Sequence, residues 1–223
     1  MREAFGLLVN GDSETWGIVF TSLRFAFLST VFSLVPALPL GVFLSSGSWK
    51  GRRMIIAMIN ALTALPTVVI GLLVYSLISR SGPLGGLDFM YAPAGVVFGQ
   101  SFLAFPVVAS LTCAGLSGLD PRFRETLRTL GSGPWLSMRA TLREARTLLG
   151  AAVVTAFGRV TGEVGVSMML GGNIRHVTRT MTTAIALDAS KGEFERALSL
   201  GLVLLVIALA VNLAVHALNR HEN

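Results

Sequence analysis

The sequence predicts an all-helical protein that crosses a membrane about five times, and three observations carry that prediction. Of its 223 residues, 52% are hydrophobic and 13% charged, with a mean hydropathy of +0.69, whereas soluble domains carry about 25% charged residues. Apolar runs near 18–44, 54–78, 94–116, 148–170 and 197–218 reach the length of about 20 residues that a helix needs to span a hydrocarbon core. One stretch, 119–146, is both basic and helix-forming, and it sits between the third and fourth runs.

The run at 18–44 is the longest. As a helix it reaches about 40 Å at roughly 1.5 Å per residue, so it is expected to tilt or to project beyond the bilayer. The residues before it carry Glu3, Asp12 and Glu14 against Arg2; no basic leader for a cleaved signal peptide precedes the run, which is expected to insert uncleaved. Arg24 lies early enough in it to snorkel outward. Pro36 and Pro39 in this run, Pro66 in the second and Pro106 in the third each remove a backbone hydrogen bond and favour a kink. Such kinks open a vestibule or are simply tolerated, as proline often is in membrane helices. Cys113 has no intrachain partner and reads as a small core residue.

In the insert, Asp120 is an N-cap and Pro121 a first helical residue, where the missing amide costs nothing. Phe123, Leu127 and Leu130 fall on one face at helical spacing, with Arg122, Arg124, Glu125 and Arg128 around the rest. Residues 131–134, Gly-Ser-Gly-Pro, end that helix; Trp135, Met138, Leu142, Ala145 and Leu149 then form a second apolar stripe. A helix, a turn and a helix outside the membrane follow. Ten Lys/Arg residues lie on the insert's side of the membrane against six on the other, so positive-inside places the insert and the C-terminus in the cytoplasm and the N-terminus outside. Topology thus accounts for the net charge of +6, and nucleic acid is not an expected partner.

Within the fourth run, Arg159 and Glu163 are four residues apart and able to pair. Each charge near a bilayer centre costs about 2.5–3.5 kcal/mol on insertion scales, so the two must meet each other, another helix or water. They line a translocation path or gate, or they form a buried pair that sets helix register. Gly158, Gly162 and Gly165 allow close packing or substrate contact. Between the last two runs, 171–195 holds a Thr-rich helical stretch with Met181, Ile185 and Leu187 on its apolar side. His176, His216 and His221 lack metal-ligand spacing. No Gly-x-x-x-x-Gly-Lys-Ser/Thr loop occurs, so the chain is not expected to cradle ATP itself. Nor is there a Ser/Lys, Asp/Asp or His-Glu-x-x-His set for an intramembrane enzyme; a membrane scaffold without transport is the remaining rival. No extended regulatory tail is expected beyond His221.

Glu125, Thr126, Leu127 and Gly131 match the first half of a Glu-Ala-Ala, three residues, Gly pattern, and on these residues the insert resembles the cytoplasmic loop of ATP-binding cassette (ABC) importer permeases. Where that pattern ends in Ile-x-Leu-Pro, this chain has Arg143 and Glu144, so the second helix is expected to leave more straightly. The segments 64–71 (Ala-Leu-Pro-Thr-Val-Val-Ile-Gly), 82–85 (Gly-Pro-Leu-Gly) and Phe105-Pro106 are similar to the molybdate and tungstate branch. The runs 162–175, which holds Gly162, Glu163 and Ser167, and 178–186 resemble the tungstate permeases in particular. The resemblance implies the type I ABC importer permease fold with a coupling helix. It implies that Asp120, Pro121, Phe123, Arg124, Glu125, Thr126, Leu127, Leu130 and Gly131 dock on an ATPase, while Arg159, Gly162, Glu163 and Ser167 are pathway or gate candidates. It further implies a multi-pass inner-membrane subunit working with a second copy of itself, membrane lipid, two ATPase subunits and an extracytoplasmic substrate-binding protein. The chain itself would bind no cofactor, since ATP and Mg sit on the ATPase. The cargo would be an oxyanion, tungstate first, with molybdate, sulfate or another anion as the alternative.

Overall fold

In the computed structural model, residues 13–46 and 49–220 are described. Arg2, Glu3, Asp12 and His221 lie outside the described residues, as do the side chains of Pro121, Arg124, Arg128 and Arg220. The described residues form helices α1 (Ser13–Ser45), α2 (Arg52–Thr63), α3 (Thr67–Ile78), α4 (Pro93–Ser117), α5 (Pro121–Thr129), α6 (Pro134–Glu144), α7 (Arg146–Thr161), α8 (Gly165–Gly171), α9 (Met181–Ser190) and α10 (Phe194–Arg220), with a short 3-10 turn at Gly85–Leu87 and no strand among them. Three helices, α1, α4 and α10, are long and apolar enough to cross a membrane alone; counting the bent pairs α2–α3 and α7–α8 as one span each brings the number to five.

Helix α1 packs most extensively on α4. Ala26, Ala37, Leu44, Val108 and Ala109 from these two helices share a core with Ala156 and Val160 of α7. Its polar residues are made compatible with that setting by bonding back to their own helix, as Ser22 Oγ does to the Ile18 carbonyl (2.9 Å) and Thr30 Oγ1 to that of Ala26 (2.7 Å). On the opposite face Trp16, Phe20, Phe27, Val35 and Phe43 are exposed, as are Leu205, Val206, Leu209 and Leu213 along α10. Those faces suit lipid, in which a large apolar side chain needs no protein cover.

The runs 54–78 and 148–170, expected as single spans, are each broken. Between α2 and α3 the axis turns by 100°, and between α7 and α8 by 61°. At the first break Pro66 has no amide to continue α2 and disfavours helical geometry at Leu65; its own carbonyl accepts from the Val69 (2.9 Å) and Ile70 (3.2 Å) amides and so starts α3. At the second, a continuous helix would bond the Val166 amide to the Gly162 carbonyl. Glu163 Oε1 takes that amide instead (3.1 Å) and begins a new helix.

The two ends of the bundle differ in charge. At one, Arg52 Nε donates to the Leu44 carbonyl (2.5 Å) and Nη2 to Ser117 Oγ (3.4 Å), joining the ends of α1 and α4 where the basic insert emerges. At the other, Glu14 in the first turn of α1 meets Arg175 and Arg179 from the chain after α8 and Arg196 from the first turn of α10. The 33 residues of α1 separate these ends by about 50 Å.

Candidate functional site

The two breaks face each other. A Cβ added to Gly165 would lie 3.0 Å from Thr67 Oγ1 and 3.1 Å from Val68 Cγ2, so the first turn of α8 rests on the first turn of α3. Glu163 occupies the junction and is 3% exposed. One carboxylate oxygen caps α8 through Val166, the other lies 3.9 Å from Arg159 Nη1, and the Glu163 carbonyl accepts from Thr182 Oγ1 (2.7 Å). Arg159, at the end of α7, keeps 43% of its side chain exposed. Its guanidinium is thus half-exposed, with its counter-charge buried behind it. The expected pair therefore forms, though Glu163 stands in the break rather than on the same helix as Arg159.

Of the three glycines, Gly158 and Gly165 serve packing, because a Cβ on Gly158 would meet Val211 Cγ1 at 2.7 Å. Gly162 has only its own helix carbonyl, 4.0 Å away. Ser167 is fully buried and accepts from Gln100 Nε2 (2.9 Å), while Gln100 Oε1 accepts from Ser29 Oγ (3.0 Å). This polar link pins α1, α4 and α8 to one another inside the core. Sequence reading passed over Gln100; its only signal was a lone amide in an apolar run. Replacing Gln100 with leucine, which keeps the volume but removes both bonds, is expected to lower stability by about 1–2 kcal/mol, read as a fall in thermal midpoint in detergent.

The start of α9 also reaches this junction. Thr180 and Thr183 form a reciprocal capping box, the Met181 amide donates to Ser22 Oγ of α1 (2.6 Å), and Met181, Ala184, Ile18, Val19 and Leu200 share a core. The segment anticipated as Thr-rich and amphipathic is thus a helix packed between α1 and α10.

In the insert, Asp120 Oδ1 accepts from the Arg122 amide (2.9 Å) and its carbonyl from that of Phe123 (3.0 Å), so the anticipated N-cap forms. Gly131 has φ +64°, a left-handed conformation that ends α5, and the Ser132 amide closes the turn on the Leu127 carbonyl (3.1 Å). Phe123 and Leu127 are half-buried, while Glu125 and Thr126 are exposed. Leu130, Trp135 and Leu136 are 74%, 72% and 58% exposed, giving the insert an apolar tip. Leu136 directly follows Trp135 in α6 and is off the 135–138–142 stripe. Helix α6 runs on into α7 with a single-residue interruption at Ala145 (φ −87°, ψ 17°).

A family model described as "Binding-protein-dependent transport system inner membrane component" matches residues 37–222. The chain belongs to that family. Among relatives of this permease, the tungstate uptake system permease protein TupB of Peptoclostridium acidaminophilum is 34% identical over 217 residues, covering 97% of this chain and 95% of that one. TupB of Campylobacter jejuni is 35% identical over 219 residues, with 98% and 92% covered. The molybdenum transport system permease protein ModB of Escherichia coli K12 is 30% identical over 183 residues, with 76% and 78% covered. In solved structures, the inward-facing MetNI methionine ABC transporter matches with a TM-score of 0.68 at 20% identity, over 98% of this permease and 99% of that chain. A bacterial alginate ABC importer matches at 0.74 and 18% identity, over 98% and 83%. These two establish the fold alone: an all-helical ABC importer permease, as the sequence predicted.

Proposed function

We propose that this permease and a second copy of itself form the membrane pathway of an importer that carries tungstate into the cytoplasm, with ATP hydrolysed on two separate ATPase subunits and cargo delivered by an extracytoplasmic binding protein. The observation that carries the cargo is identity of 34–35% to two tungstate permeases over nearly the whole chain. Molybdate is the second reading, supported by the 30% identity to ModB. The N-terminus lies outside and the C-terminus in the cytoplasm.

The chain does its work by binding and by changing shape; no covalent step is required of it. The tip of the insert docks on the ATPase, and closure of the two ATPases draws the paired inserts together. Because only Ala145 separates α6 from α7, that displacement is passed along the chain toward Arg159 and the junction of the two breaks. Arg159 gives a doubly charged oxyanion one favourable charge at the depth where hydration is most costly to lose. Glu163 keeps that charge tolerable when no anion is present.

The test is reconstitution with the ATPase and the binding protein, reading ATPase activity stimulated by binding protein loaded with tungstate, molybdate or sulfate. Stimulation led by tungstate is expected; none by any anion removes the importer reading. Replacing Gly131 with valine, which cannot adopt φ +64° without strain, is expected to cut stimulation at least about tenfold, the loss produced by about 1.4 kcal/mol, while the protein still inserts. Unchanged stimulation removes the coupling role of the turn.

A further inference from the structure

At the end of the bundle away from the insert, one carboxylate is surrounded by three guanidinium groups from two segments of the chain. Arg175 binds Glu14 in bidentate fashion, with Nε donating to Oε1 at 2.7 Å and Nη2 to Oε2. Arg196 Nη2, in the first turn of α10, is 2.8 Å from Oε1, and Arg179 Nη1 is 3.7 Å from it. Arg196 also faces Asp188 at 3.7 Å. Buried Arg179 Nε has no hydrogen-bond partner among the described residues. A cavity of about 100 Å³ opens here, bounded by Glu14, Thr21, Arg175, His176 and Arg179. At roughly 30 Å³ per water it holds about three waters, or one small anion.

A single carboxylate offers two oxygens to this ring of donors and leaves Arg179 mostly unserved. A tetrahedral oxyanion offers four oxygens and two charges. Guanidinium forks suit such acceptors, and charge-assisted bonds of this kind are the strong ones. We propose that Arg175, Arg179 and Arg196 form an entry site for a tetrahedral oxyanion at the outer mouth of the permease, and that Glu14 is a resident carboxylate which the anion displaces. The site rests on the import reading for its orientation and cargo. It lies where α1, the turn after α8 and the first turn of α10 meet, so replacing Glu14 by an anion also unties α1 from the segment after α8. Arrival of cargo then loosens the outer mouth, and its departure lets Glu14 close it again.

The sign of one substitution separates this site from a structural ion pair. In the full-length permease assembled with its ATPase, without binding protein, equilibrium binding of tungstate, molybdate, sulfate and chloride is measured. Glu14→Gln removes the competing charge and is expected to tighten oxyanion binding about tenfold, with chloride little affected. Arg179→Gln is expected to weaken it about tenfold, alone and combined with Glu14→Gln. Oxyanion binding that is absent, that is unchanged in both variants, or that weakens in Glu14→Gln overturns the proposal. So does a change confined to affinity for the binding protein, which would make the arginines a dock for its acidic residues. If Glu14→Gln fails to assemble, Arg175→Gln, altered at a side chain 60% exposed, carries the test: weaker binding supports the site and unchanged binding overturns it. Stimulation of the wild-type complex by loaded binding protein, measured alongside, tells failure of this site from failure of the import reading.

Discussion

Replacing Trp135 and Leu136 together with serine abolishes stimulated ATP hydrolysis while leaving the membrane bundle folded. Both side chains are more than half exposed at the tip of the insert, so the permease alone loses little packing when they are cut back. On the proposed coupling role, they and Leu130 are the exposed apolar groups that the tip offers to an ATPase. Burial of each contributes about 1.5–3 kcal/mol, and aromatic anchors at interface centres tend toward the upper end. A combined loss of about 4 kcal/mol weakens the ATPase complex about 1,000-fold. Co-purification with the ATPase and stimulated hydrolysis should fall together, with the thermal midpoint of the permease unchanged. Retention of the ATPase by the double variant would remove the docking role of the tip.

Glu163→Ala should be the most destabilising single change at the junction of the breaks, and Glu163→Gln should separate its two causes. Alanine withdraws the acceptor for the Val166 amide, a cap worth about 1 kcal/mol. It also leaves Arg159 without a counter-charge. Breaking a buried pair costs about 3–5 kcal/mol; here about 2 kcal/mol is the better figure, because the pair spans 3.9 Å and Arg159 is 43% exposed. The expected loss is about 3 kcal/mol. Glutamine keeps an oxygen for Val166 and loses only the charge, so its loss should be about 2 kcal/mol and the bend between α7 and α8 should persist. Thermal unfolding in detergent checks both values; equal losses for the two variants would mean that the cap contributes nothing. Transport should suffer differently from stability. With Arg159 uncompensated in Glu163→Gln, an oxyanion should be held longer at the junction, so turnover should fall while the substrate level for half-maximal rate also falls.

The contrast between what was and was not legible in the sequence follows the range of the interactions. The cap at Asp120, the turn at Gly131 and the approach of Arg159 to Glu163 involve residues within a few positions of each other, and all three form as read. Pro66 signalled a kink but not its angle of 100°. The break at Glu163 gave no such signal, since a glutamate four residues after an arginine looks like an ordinary helical pair until its carboxylate is seen to take the Val166 amide. Leu136 escaped notice because it lies off the stripe counted at helical spacing, next to Trp135 on the exposed side. Gln100, its partners Ser29 and Ser167 lying 71 and 67 positions away, had no local pattern to betray it.

By itself, the sequence determined the class, where the apolar runs and the basic insert lie, and the family, because each depends on run length, local spacing or a contiguous motif. Only the tertiary structure decided that the two broken runs meet at Thr67 and Gly165, that α9 packs into the bundle to reach Glu163, and that Glu14 lies among arginines at least 161 positions away. The physical reason is that hydrophobic periodicity specifies how each segment meets its solvent, lipid or water. Which polar groups then find one another is settled only when the helices pack, because at membrane depth a donor or acceptor left alone costs too much to stay so.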